Sequence, residues 1–315
     1  MAGHGTARRV NTDNTYDVVI IGGGAAGLSA ALLLGRARRR VAVVDSGKPR
    51  NLRAEHIHGY LTRDGVPPAR FLELAREEVR SYGVELIDST AEEVYADRRV
   101  CLDDGRMLSA RQVILAFGLR DVLPHIEGAD SQWGRGLFQC PYCHGWEYRD
   151  RKLAVLGTGG SSVQQALLVR QFSGDVTLFT HEMAGPDGET AADLASCGVK
   201  IVQGRVRALV AGPESLTGVR LESGELHACD ALFYEPGAIV DTSIVKVPDC
   251  RTSENGCVTT DELGRTGVEG IWATGNAADP AAQVIVAAGD SYRLAVAVNA
   301  ALIEDDVAQA RSSLP

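Results

Sequence analysis

Two cysteines spaced C-x-x-C stand near the middle of the chain, in the stretch CPYCHGWE at residues 140–147. Cys140 and Cys143 are the cysteines, and His144 follows them directly. This spacing serves three chemistries: attachment of c-type haem through C-x-x-C-H, one half of a zinc site, or a redox-active disulfide. A fourth interpretation is a pair of buried cysteines without chemistry. The motif alone leaves these alternatives open, so the elements around it must decide.

A glycine-rich turn between a strand and a helix marks residues 16–47. The apolar run Val18–Ile21 is typical of a strand buried on both faces of a parallel sheet, and Leu28–Leu34 continues as a helix. A second apolar strand, Val41–Val44, ends at Asp45, close to the spacing at which a carboxylate meets a ribose hydroxyl. The turn has the pattern G-x-G-x-x-G, carried by Gly22, Gly24 and Gly27. Such glycines let backbone N–H groups approach a pyrophosphate at a helix N-terminus, so the segment predicts dinucleotide binding.

Two further strand–turn–helix segments follow. Residues 151–182 contain a G-x-G-x-x-S variant that begins at Gly157. No acid follows it at the matching place, so a lost nucleotide site and a working one fit it equally well. Residues 267–302 contain a short strand, the pair Gly275 and Asn276, and a long Ala-rich helix. A glycine beside a small polar side chain lets the chain pass close to a ligand, although an ordinary strand–loop–helix gives the same pattern.

The composition limits the class of protein. A chain of 315 residues predicts about two domains, and 45% apolar with 23% charged residues is ordinary for a globular protein. The net charge of −9 disfavours nucleic acid as a partner. No run approaches the roughly 18 apolar residues of a membrane span, and the start has no apolar core of a signal peptide. We therefore expect a disordered tail at residues 1–15, no membrane association and a cytoplasmic protein, in which an oxidisable cysteine pair is more often catalytic than structural.

The order of these segments predicts the domain organisation. Two glycine turns far apart in the chain, with a final strand–helix segment returning, indicate an α/β fold with two Rossmann-like nucleotide-binding domains, the second inserted in the first. The expected boundaries are 16–120 together with 241–315 for the first domain, and 121–240 for the inserted domain that carries the C-x-x-C pair.

This order of motifs resembles the low-molecular-weight thioredoxin reductase family of flavoproteins, from Tyr16 to about Leu302. That family has an FAD domain split by a smaller pyridine-nucleotide domain. It places its C-x-x-C just before the second glycine turn, as Cys143 precedes Gly157 by 14 residues here. The resemblance implies FAD as the cofactor and a homodimer. It implies that FAD is held by Gly22, Gly24, Ala25, Ala26, Gly27, Asp45, His56, Gly275, Asn276, Gln283 and Val284.

The resemblance also assigns some of these residues to parts of the cofactor. His56 falls where the family has an Asn beside the flavin. Gly275 and Asn276 fall on a Gly-Asp pair whose acid bonds the ribityl chain, a bond that an amide can still make. Gln283 and Val284 would offer the start of the last helix to the pyrimidine edge of the flavin.

Among the interpretations of CPYCHGWE, the resemblance favours the redox disulfide. Haem attachment needs an export route and an axial-ligand pocket, and the sequence indicates neither. Zinc needs four ligands, and no second C-x-x-C or H-x-x-x-H follows, so we expect no metal. Cys140 and Cys143 are then a redox disulfide that works with FAD.

Two departures from the reductases bear on the activity. Where the family binds NADPH through His-Arg-Arg, this chain has Thr180, His181 and Glu182. Losing two charged bonds of about 1.5–3 kcal/mol each disfavours NADPH, while NADH stays open. Where the family has an acid after the second cysteine, this chain has His144, a base near pH 7 that suits removal of protons from incoming thiols. A merely structural role in the turn is the alternative.

Aromatic residues crowd the motif: Trp133, Phe138, Tyr142, Trp146 and Tyr148. Plain packing explains them, and so does a small, flat, apolar substrate. CPYCHGWE without the NADPH motif resembles the thioredoxin-reductase-like dithiol oxidases of antibiotic biosynthesis, of the gliotoxin and holomycin types. That resemblance implies FAD-dependent oxidation of a small-molecule dithiol, such as a holomycin-type dithiolopyrrolone, to an intramolecular disulfide. O2 would be the acceptor, giving H2O2, with Cys140, Cys143 and His144 as the catalytic residues.

Two other functions stay open. One is a thioredoxin-disulfide reductase that uses NADPH, NADH or ferredoxin. The other is a flavin-binding dithiol sensor or self-resistance protein that binds the dithiol without rapid turnover.

Overall fold

The computed structural model describes residues 14–212 and 215–314. The first 13 residues, on which most of the expected disordered tail falls, lie outside the described residues. Asn14 and Thr15, also expected in that tail, instead belong to the sheet. Thr15 begins the first strand opposite Ser109, and the Ser109 N–H donates to the Asn14 carbonyl at 2.7 Å. Backbone hydrogen bonds thus extend the strand ahead of its apolar run.

The described part of the chain contains eighteen strands: β1 (Thr15–Ile21), β2 (Val41–Asp45), β3 (Glu85–Asp88), β4 (Ala91–Tyr95), β5 (Arg99–Leu102), β6 (Met107–Leu115), β7 (Arg120–Val122), β8 (Leu137–Phe138), β9 (Lys152–Leu156), β10 (Asp175–Phe179), β11 (Val199–Val202), β12 (Val206–Ala211), β13 (Leu216–Leu221), β14 (Leu226–Ala228), β15 (Ala231–Phe233), β16 (Gly237–Ile239), β17 (Val245–Lys246) and β18 (Ile271–Ala273). The same part contains seven α-helices: α1 (Ala25–Arg36), α2 (Pro68–Ser81), α3 (Ala129–Gln132), α4 (Pro141–His144), α5 (Ser161–Val169), α6 (Gly188–Ser196) and α7 (Val284–Ser312). Short 3-10 turns span Arg50–Arg53, Thr242–Ile244 and Gly275–Ala277.

The chain folds into two compact units, each assembled from separate stretches of sequence. Unit 1 contains residues 14–49, 72–119 and 240–314, and unit 2 contains residues 50–71 and 120–239. The stretch 50–71 differs from the expected boundaries, which kept it in the first domain. It belongs to unit 2 because the Arg50 guanidinium forms a bidentate ion pair with Asp121, at 2.6 and 2.9 Å. A long-range ion pair of this kind leaves no periodic trace in the sequence.

Unit 1 is built on an eight-stranded sheet in the order β17-β4-β5-β6-β1-β2-β3, with β18 also paired to β6. β1 lies parallel to β2 and to β6, and Val18 stands opposite Val41. The side chains of β2 and of the last part of β6 are nearly all buried, as strands covered on both faces require. α1 and α7 pack against each other, and the Ser29 hydroxyl donates to the Ala288 carbonyl at 2.7 Å.

α7 is long and apolar enough to cross a membrane by length and composition alone. The sequence expectation of no such segment missed it, because charged residues interrupt its apolar run. A core helix of a globular protein passes the same test. One face of α7 is buried in unit 1 at Leu294 and Val298, and Arg39 of α1 donates to the Asn299 side chain at 2.8 Å. Packing within unit 1 therefore accounts for the apolar residues on that face.

Unit 2 contains a five-stranded parallel sheet in the order β11-β10-β9-β15-β8, a three-stranded antiparallel sheet β12-β13-β14 and a two-stranded ribbon of β16 and β7. α5 follows β9 across the second glycine turn and packs on β9 and β10. The interior strands are fully apolar, with Leu153, Val155 and Phe233 buried. Each unit thus has a glycine turn between a central parallel strand and a helix. The predicted α/β class with two nucleotide-binding folds is confirmed.

Candidate functional site

The first glycine turn in unit 1 is shaped by glycines that serve different purposes. Gly22 has φ +108°, and a Cβ there would lie 2.2 Å from the carbonyl oxygen that follows β6. A Cβ on Gly27 would lie 1.9 Å from the Gly22 carbonyl oxygen. Gly24 differs, because a Cβ there meets no atom within 4 Å. Gly24 is also the N-cap of α1 and supplies no side-chain cap, so the first N–H groups of the helix, at Ala25 and Ala26, have no capping acceptor from it.

Asp45 ends β2 beside the same turn. Its carboxylate would lie 2.5 Å from a Cβ on Gly23, so only glycine fits between the acid and the turn. Arg76 of α2 donates to one carboxylate oxygen at 2.5 Å, and the Gly47 N–H donates to the other at 3.3 Å. The acid is therefore held in place at the end of the strand. Sequence reasoning did not single out Gly23, visible as the middle of GGG, or Arg76, which gave no signal.

Gly275 and Asn276 lie between β18 and α7 in unit 1. Gly275 has φ +59°, and a Cβ there would lie 2.7 Å from a methyl group of α1. The Asn276 amide donates to two carbonyls of the loop 279–282, at 2.9 and 3.0 Å. That loop leads to Gln283, the N-cap of α7, and to Val284, its first residue. The Asn276 side chain thus orders the approach to the start of α7, a role that the sequence did not reveal.

These elements fit the FAD that the resemblance implies. Unit 1 combines a helix start without a side-chain cap, a positive-φ glycine turn with open space at Gly24, and an acid at the end of the neighbouring strand. The residues expected to hold FAD belong to unit 1, with one exception. His56 is exposed in unit 2, and its ring centroid lies 6.1 Å from that of His58. Its role beside the flavin stays a prediction.

The two cysteines of the C-x-x-C motif lie at a single helical turn in unit 2. Cys140 is the N-cap of α4, and the Cys143 N–H donates to the Cys140 carbonyl at 3.1 Å. Both are free thiols and half-buried. A hydrogen bond to the Cys140 side chain raises the pKa of Cys143, burial raises it further, and the positive charge of Arg50 opposes the rise only in part. Cys143 therefore keeps its proton and donates it toward the Cys140 sulfur.

His144 ends α4 and packs flat on Phe138, with the ring centroids 4.3 Å apart and an interplanar angle of 20°. Both of its ring nitrogens are buried and form no hydrogen bond of good geometry with the described residues. Burial, together with the charge of His58, lowers the pKa of His144 to about 4, and the Cys140 backbone offsets only part of this. His144 is therefore neutral at pH 7. These contacts favour the structural alternative, while its role as a base stays a prediction.

Arg50 holds the start of the stretch 50–71 against this motif. Besides its pair with Asp121, it donates to the Gln139 side chain at 2.7 Å, directly before Cys140 in the chain. The pair is mostly buried, with side-chain exposures of 21% and 7%. Bidentate Arg–carboxylate pairs have a fixed geometry, so the positive charge stays beside the cysteines. Sequence reasoning missed Arg50, because it lies in a loop without periodicity.

His58 lies between two carboxylates in the same unit. Its Nε2 is 3.4 Å from Glu147, and its Nδ1 is 3.4 Å from Asp64. The Gly59 N–H donates to Asp64 at 2.9 Å, and this bond, with the contact to His58, lowers the pKa of the Asp64 carboxyl. None of these residues was singled out from the sequence. Glu147 was a usable signal, since it ends the stretch CPYCHGWE.

The aromatic residues around the motif divide between the interior and the surface. Phe138 is buried in the hydrophobic core of unit 2, and Trp133 and Tyr148 pack on that core. Packing accounts for these three. Tyr142 and Trp146 are 75% and 64% exposed, and they flank the dithiol in the sequence. Exposed aromatic rings of this size usually mark a binding surface.

The second glycine turn, after β9, is covered by the chain's own loop after β10. The N–H groups of Glu182 and Met183 donate to the Gly157 carbonyl at 2.9 and 3.3 Å, and a Cβ on Gly157 would lie 2.7 Å from the Met183 sulfur. His181 is buried, accepts a backbone N–H at 3.0 Å, and has a pKa lowered by burial. Glu182 pairs with Arg205 at 3.0 Å. These positions therefore offer no positive charge to a 2′-phosphate.

The chain matches the family described as pyridine nucleotide-disulphide oxidoreductase over residues 16–300. It is 30% identical to thioredoxin reductase sirT of Leptosphaeria maculans, over 95% of this chain and 98% of that protein. The solved structure of HlmI superposes with a TM-score of 0.88 at 41% identity, covering 94% of this chain and 95% of that one. A probable thioredoxin reductase of Arthroderma benhamiae is 35% identical over 54% of this chain, and the match spans only 44% of that protein.

We expect Gly24→Val to fold and to lose bound FAD. The valine methyl groups meet open space in the protein, but they fill the place through which a pyrophosphate approaches the N–H groups of α1. The flavin absorbance of the purified protein, per chain, measures the effect. Gly159→Val in the second glycine turn is the matched control, because a Cβ there also meets no atom within 4 Å, and it should keep its flavin. Full flavin content in Gly24→Val would show that the pyrophosphate site lies elsewhere.

Proposed function

The chain belongs to the pyridine nucleotide-disulphide oxidoreductase family, as an FAD-binding, thioredoxin-reductase-like flavoprotein, and from this premise we propose that it oxidises a small-molecule dithiol to an intramolecular disulfide. The proposed acceptor is O2, which becomes H2O2. The proposed substrate is a holomycin-type dithiolopyrrolone or a related dithiol, and the working form is a cytoplasmic homodimer.

The covered second glycine turn is the observation that carries this proposal. A reductase draws its electrons from a nicotinamide bound at such a turn. Here the Glu182 and Met183 N–H groups are bonded to Gly157, and the Met183 sulfur lies against it. The cysteine pair then needs another source of electrons. A substrate dithiol is such a source, because its oxidation reduces the enzyme disulfide by thiol–disulfide exchange.

Cys140 and Cys143 carry the exchange in this proposal. A substrate thiolate attacks the Cys140 sulfur of the oxidised pair, the Cys140–Cys143 bond breaks, and the Cys143 sulfur leaves. The second substrate thiolate then attacks the substrate sulfur of the mixed disulfide, so that a cyclic disulfide forms and the Cys140 sulfur is released. The raised pKa of Cys143 supports its role as the sulfur that takes up a proton on leaving. FAD, when bound, takes the electron pair from the reduced cysteines and delivers it to O2.

The surface beside the motif supports a small, flat, apolar substrate. Tyr142 lies inside the C-x-x-C turn and Trp146 shortly after it, and both rings are exposed. Aromatic faces bind planar ring systems through dispersion and stacking, with little conformational entropy lost. Arg149 lies 4.4 Å from the centroid of the Trp146 ring, and this contact orients that ring.

The homodimer that the resemblance implies is supported by the outer face of α7. Apolar residues on this helix are between 42% and 55% exposed, at spacings of seven and four residues that place them on one face: Ile285, Tyr292, Val296, Ile303 and Val307. An exposed apolar stripe is the usual mark of an interface. A second copy of the chain is the partner that we propose for it.

A thioredoxin-disulfide reductase fed by NADH or ferredoxin is the second candidate. The printed names of two relatives, both called thioredoxin reductase, favour it. It differs from the first candidate in the direction of electron flow, from an external donor to a protein disulfide. Oxygen uptake that depends on a small dithiol and needs no nicotinamide separates the two.

We expect Cys140→Ser and Cys143→Ser each to abolish dithiol turnover but to differ in their spectra. Cys140→Ser leaves Cys143 unpaired, and we expect it to show a long-wavelength thiolate–flavin charge-transfer band. Cys143→Ser should lack that band and trap a mixed disulfide of the substrate on Cys140, detectable by mass spectrometry. Cys197→Ser is the control, since Cys197 is an exposed free cysteine outside the motif. Reversed spectra would exchange the roles of the two cysteines.

We expect the enzyme to run without nicotinamide. Excess NADPH or NADH should reduce the flavin slowly or not at all, because the loop at residues 180–183 covers the second glycine turn. A small dithiol should bleach the flavin under anaerobic conditions, and air should restore it with one H2O2 per disulfide. Rapid bleaching of the wild-type flavin by micromolar NADPH would contradict the proposal. Bleaching without repeated turnover on any dithiol would indicate the sensor instead.

The pH dependence of His144→Ala separates its two roles. We expect the loss of turnover to be the same factor between about pH 6 and pH 9.5, since both ring nitrogens are buried and the side chain is already neutral. A catalytic base would instead lose roughly 10²–10⁴-fold, with the loss shrinking above the thiol pKa of about 8.5. Steady-state rates with one dithiol across this range measure the difference.

A further inference from the structure

Residues 57–66 form a closed loop in unit 2. Two backbone hydrogen bonds of 2.9 Å tie Ile57 to the residues at the other end of the loop. Inside the loop, the Asp64 carboxylate accepts the Gly59 N–H at 2.9 Å. Asp64 and His58 are therefore held at a fixed separation by the backbone itself, and the imidazole cannot drift away from its carboxylate without opening the loop.

His58 connects this loop to the segment that follows the cysteines. Its Nδ1 is 3.4 Å from Asp64 and its Nε2 is 3.4 Å from Glu147, with 19% of the side chain exposed. In the neutral ring, Asp64 assigns the hydrogen to Nδ1, which leaves Nε2 to accept a proton. The ring is thus partly open to water and fixed at both nitrogens. This arrangement suits a group that gains and loses a proton in each cycle.

Glu147 brings the imidazole into the electrostatic environment of the cysteines. Its negative charge contributes to the raised pKa of Cys143, and the charge of His58 contributes to the lowered pKa of His144. Such effects fall off with distance, so His58 and Glu147 lie near the dithiol turn. The titratable groups that face His58 are Asp64, Glu147, His144 and the ring of His56.

The exchange chemistry needs a proton-exchanging group that His144 is badly arranged to provide. Free thiols are mostly protonated at pH 7, yet only the thiolate attacks a disulfide. The His144 nitrogens are buried against the protein and its ring is stacked on Phe138. His58 has the opposite properties: both nitrogens are oriented by carboxylates, and the ring is reached by solvent.

We propose that His58, held between Asp64 and Glu147, is the group that exchanges protons with the thiols at the Cys140–Cys143 site. This inference rests on the proposed function of the same cysteines. It names a further catalytic residue, and it assigns His144 to packing.

Protons and electrons balance in the proposed sequence. The first substrate thiol gives its proton to His58 Nε2, and its thiolate attacks the Cys140 sulfur, so that the Cys140–Cys143 bond breaks. The Cys143 sulfur takes that proton from His58. The second substrate thiol gives its proton to the same nitrogen and attacks the substrate sulfur of the mixed disulfide; Cys140 leaves and takes this proton. Two electrons pass from the substrate to the enzyme pair, which ends as two thiols.

Alkylation of the reduced holoenzyme tests the inference without any turnover. The probe is iodoacetamide, and the readout is the rate of modification of the Cys140 peptide by mass spectrometry as a function of pH. In the wild type we expect substantial reactivity near pH 7. In His58→Gln, which keeps a polar side chain but cannot take up a proton, we expect the rate at pH 7 to fall about tenfold and the midpoint to rise by about one pH unit. Glu147→Gln should move the profile in the same direction.

His227→Gln is the matched control, because His227 also pairs with a glutamate, Glu225, at 3.1 Å in unit 2. It should keep the wild-type alkylation profile. A wild-type profile in both His58→Gln and Glu147→Gln would overturn the inference. So would a shifted profile in His227→Gln of equal size, since the effect would then be general to the unit.

Anaerobic flavin bleaching by a small dithiol distinguishes a failure of this inference from a failure of the proposed function. In His58→Gln we expect the bleaching rate to fall at pH 7 and to recover as pH rises past the thiol pKa. A wild-type enzyme that no dithiol bleaches would refute the proposed function, while the alkylation profile would still report on His58. Normal bleaching in His58→Gln at every pH would refute the role of His58 and leave the oxidase function standing.

Discussion

The buried ion pair between Arg50 and Asp121 is the interaction on which the rest of the dithiol site depends. It fastens the stretch 50–71 to unit 2, and the same guanidinium reaches the side chain of Gln139, directly before the cysteines. Removing one partner of a buried pair costs about 3–5 kcal/mol, because the other charge is left unpaired. His58 and the loop that orients it lie in the stretch that this pair fastens. One long-range contact thus brings a cation and an imidazole to a motif that the sequence shows as cysteines alone.

The parts of this molecule that the sequence predicts are those with local causes. Val18–Ile21 and Val41–Val44 are apolar runs that lie within buried parallel strands, and the glycines of the first turn are required by close approaches within a few residues of chain. Asp45 is likewise recognised by its distance from the turn. Arg76, Arg50 and His58 have no such signature, because each acts through a partner far away in the sequence, or through a loop without periodicity. Their positions follow only from the folded backbone.

The two glycine turns show how one local pattern takes two outcomes. At the first, Gly24 opens onto space, and the N-cap of α1 brings no side chain of its own. At the second, the loop after β10 bonds to Gly157 and lays the Met183 sulfur against it. Both turns join a central parallel strand to a helix, so the strand and helix signals alone do not separate them. The difference lies in the residues that follow the next strand, where Asp45 is replaced by a buried Thr180 and its neighbours.

Burial decides which groups near the cysteines are able to carry charge. It keeps the proton on Cys143 by raising its pKa, and it keeps a proton off His144 by lowering its pKa to about 4. Desolvation disfavours the charged form of both, so the interior of the turn is a neutral environment at pH 7. Thiol–disulfide exchange nevertheless requires a thiolate at every step. The charges that compensate must therefore come from the edge of the turn, where Arg50 is fixed by its carboxylate and His58 remains in contact with water.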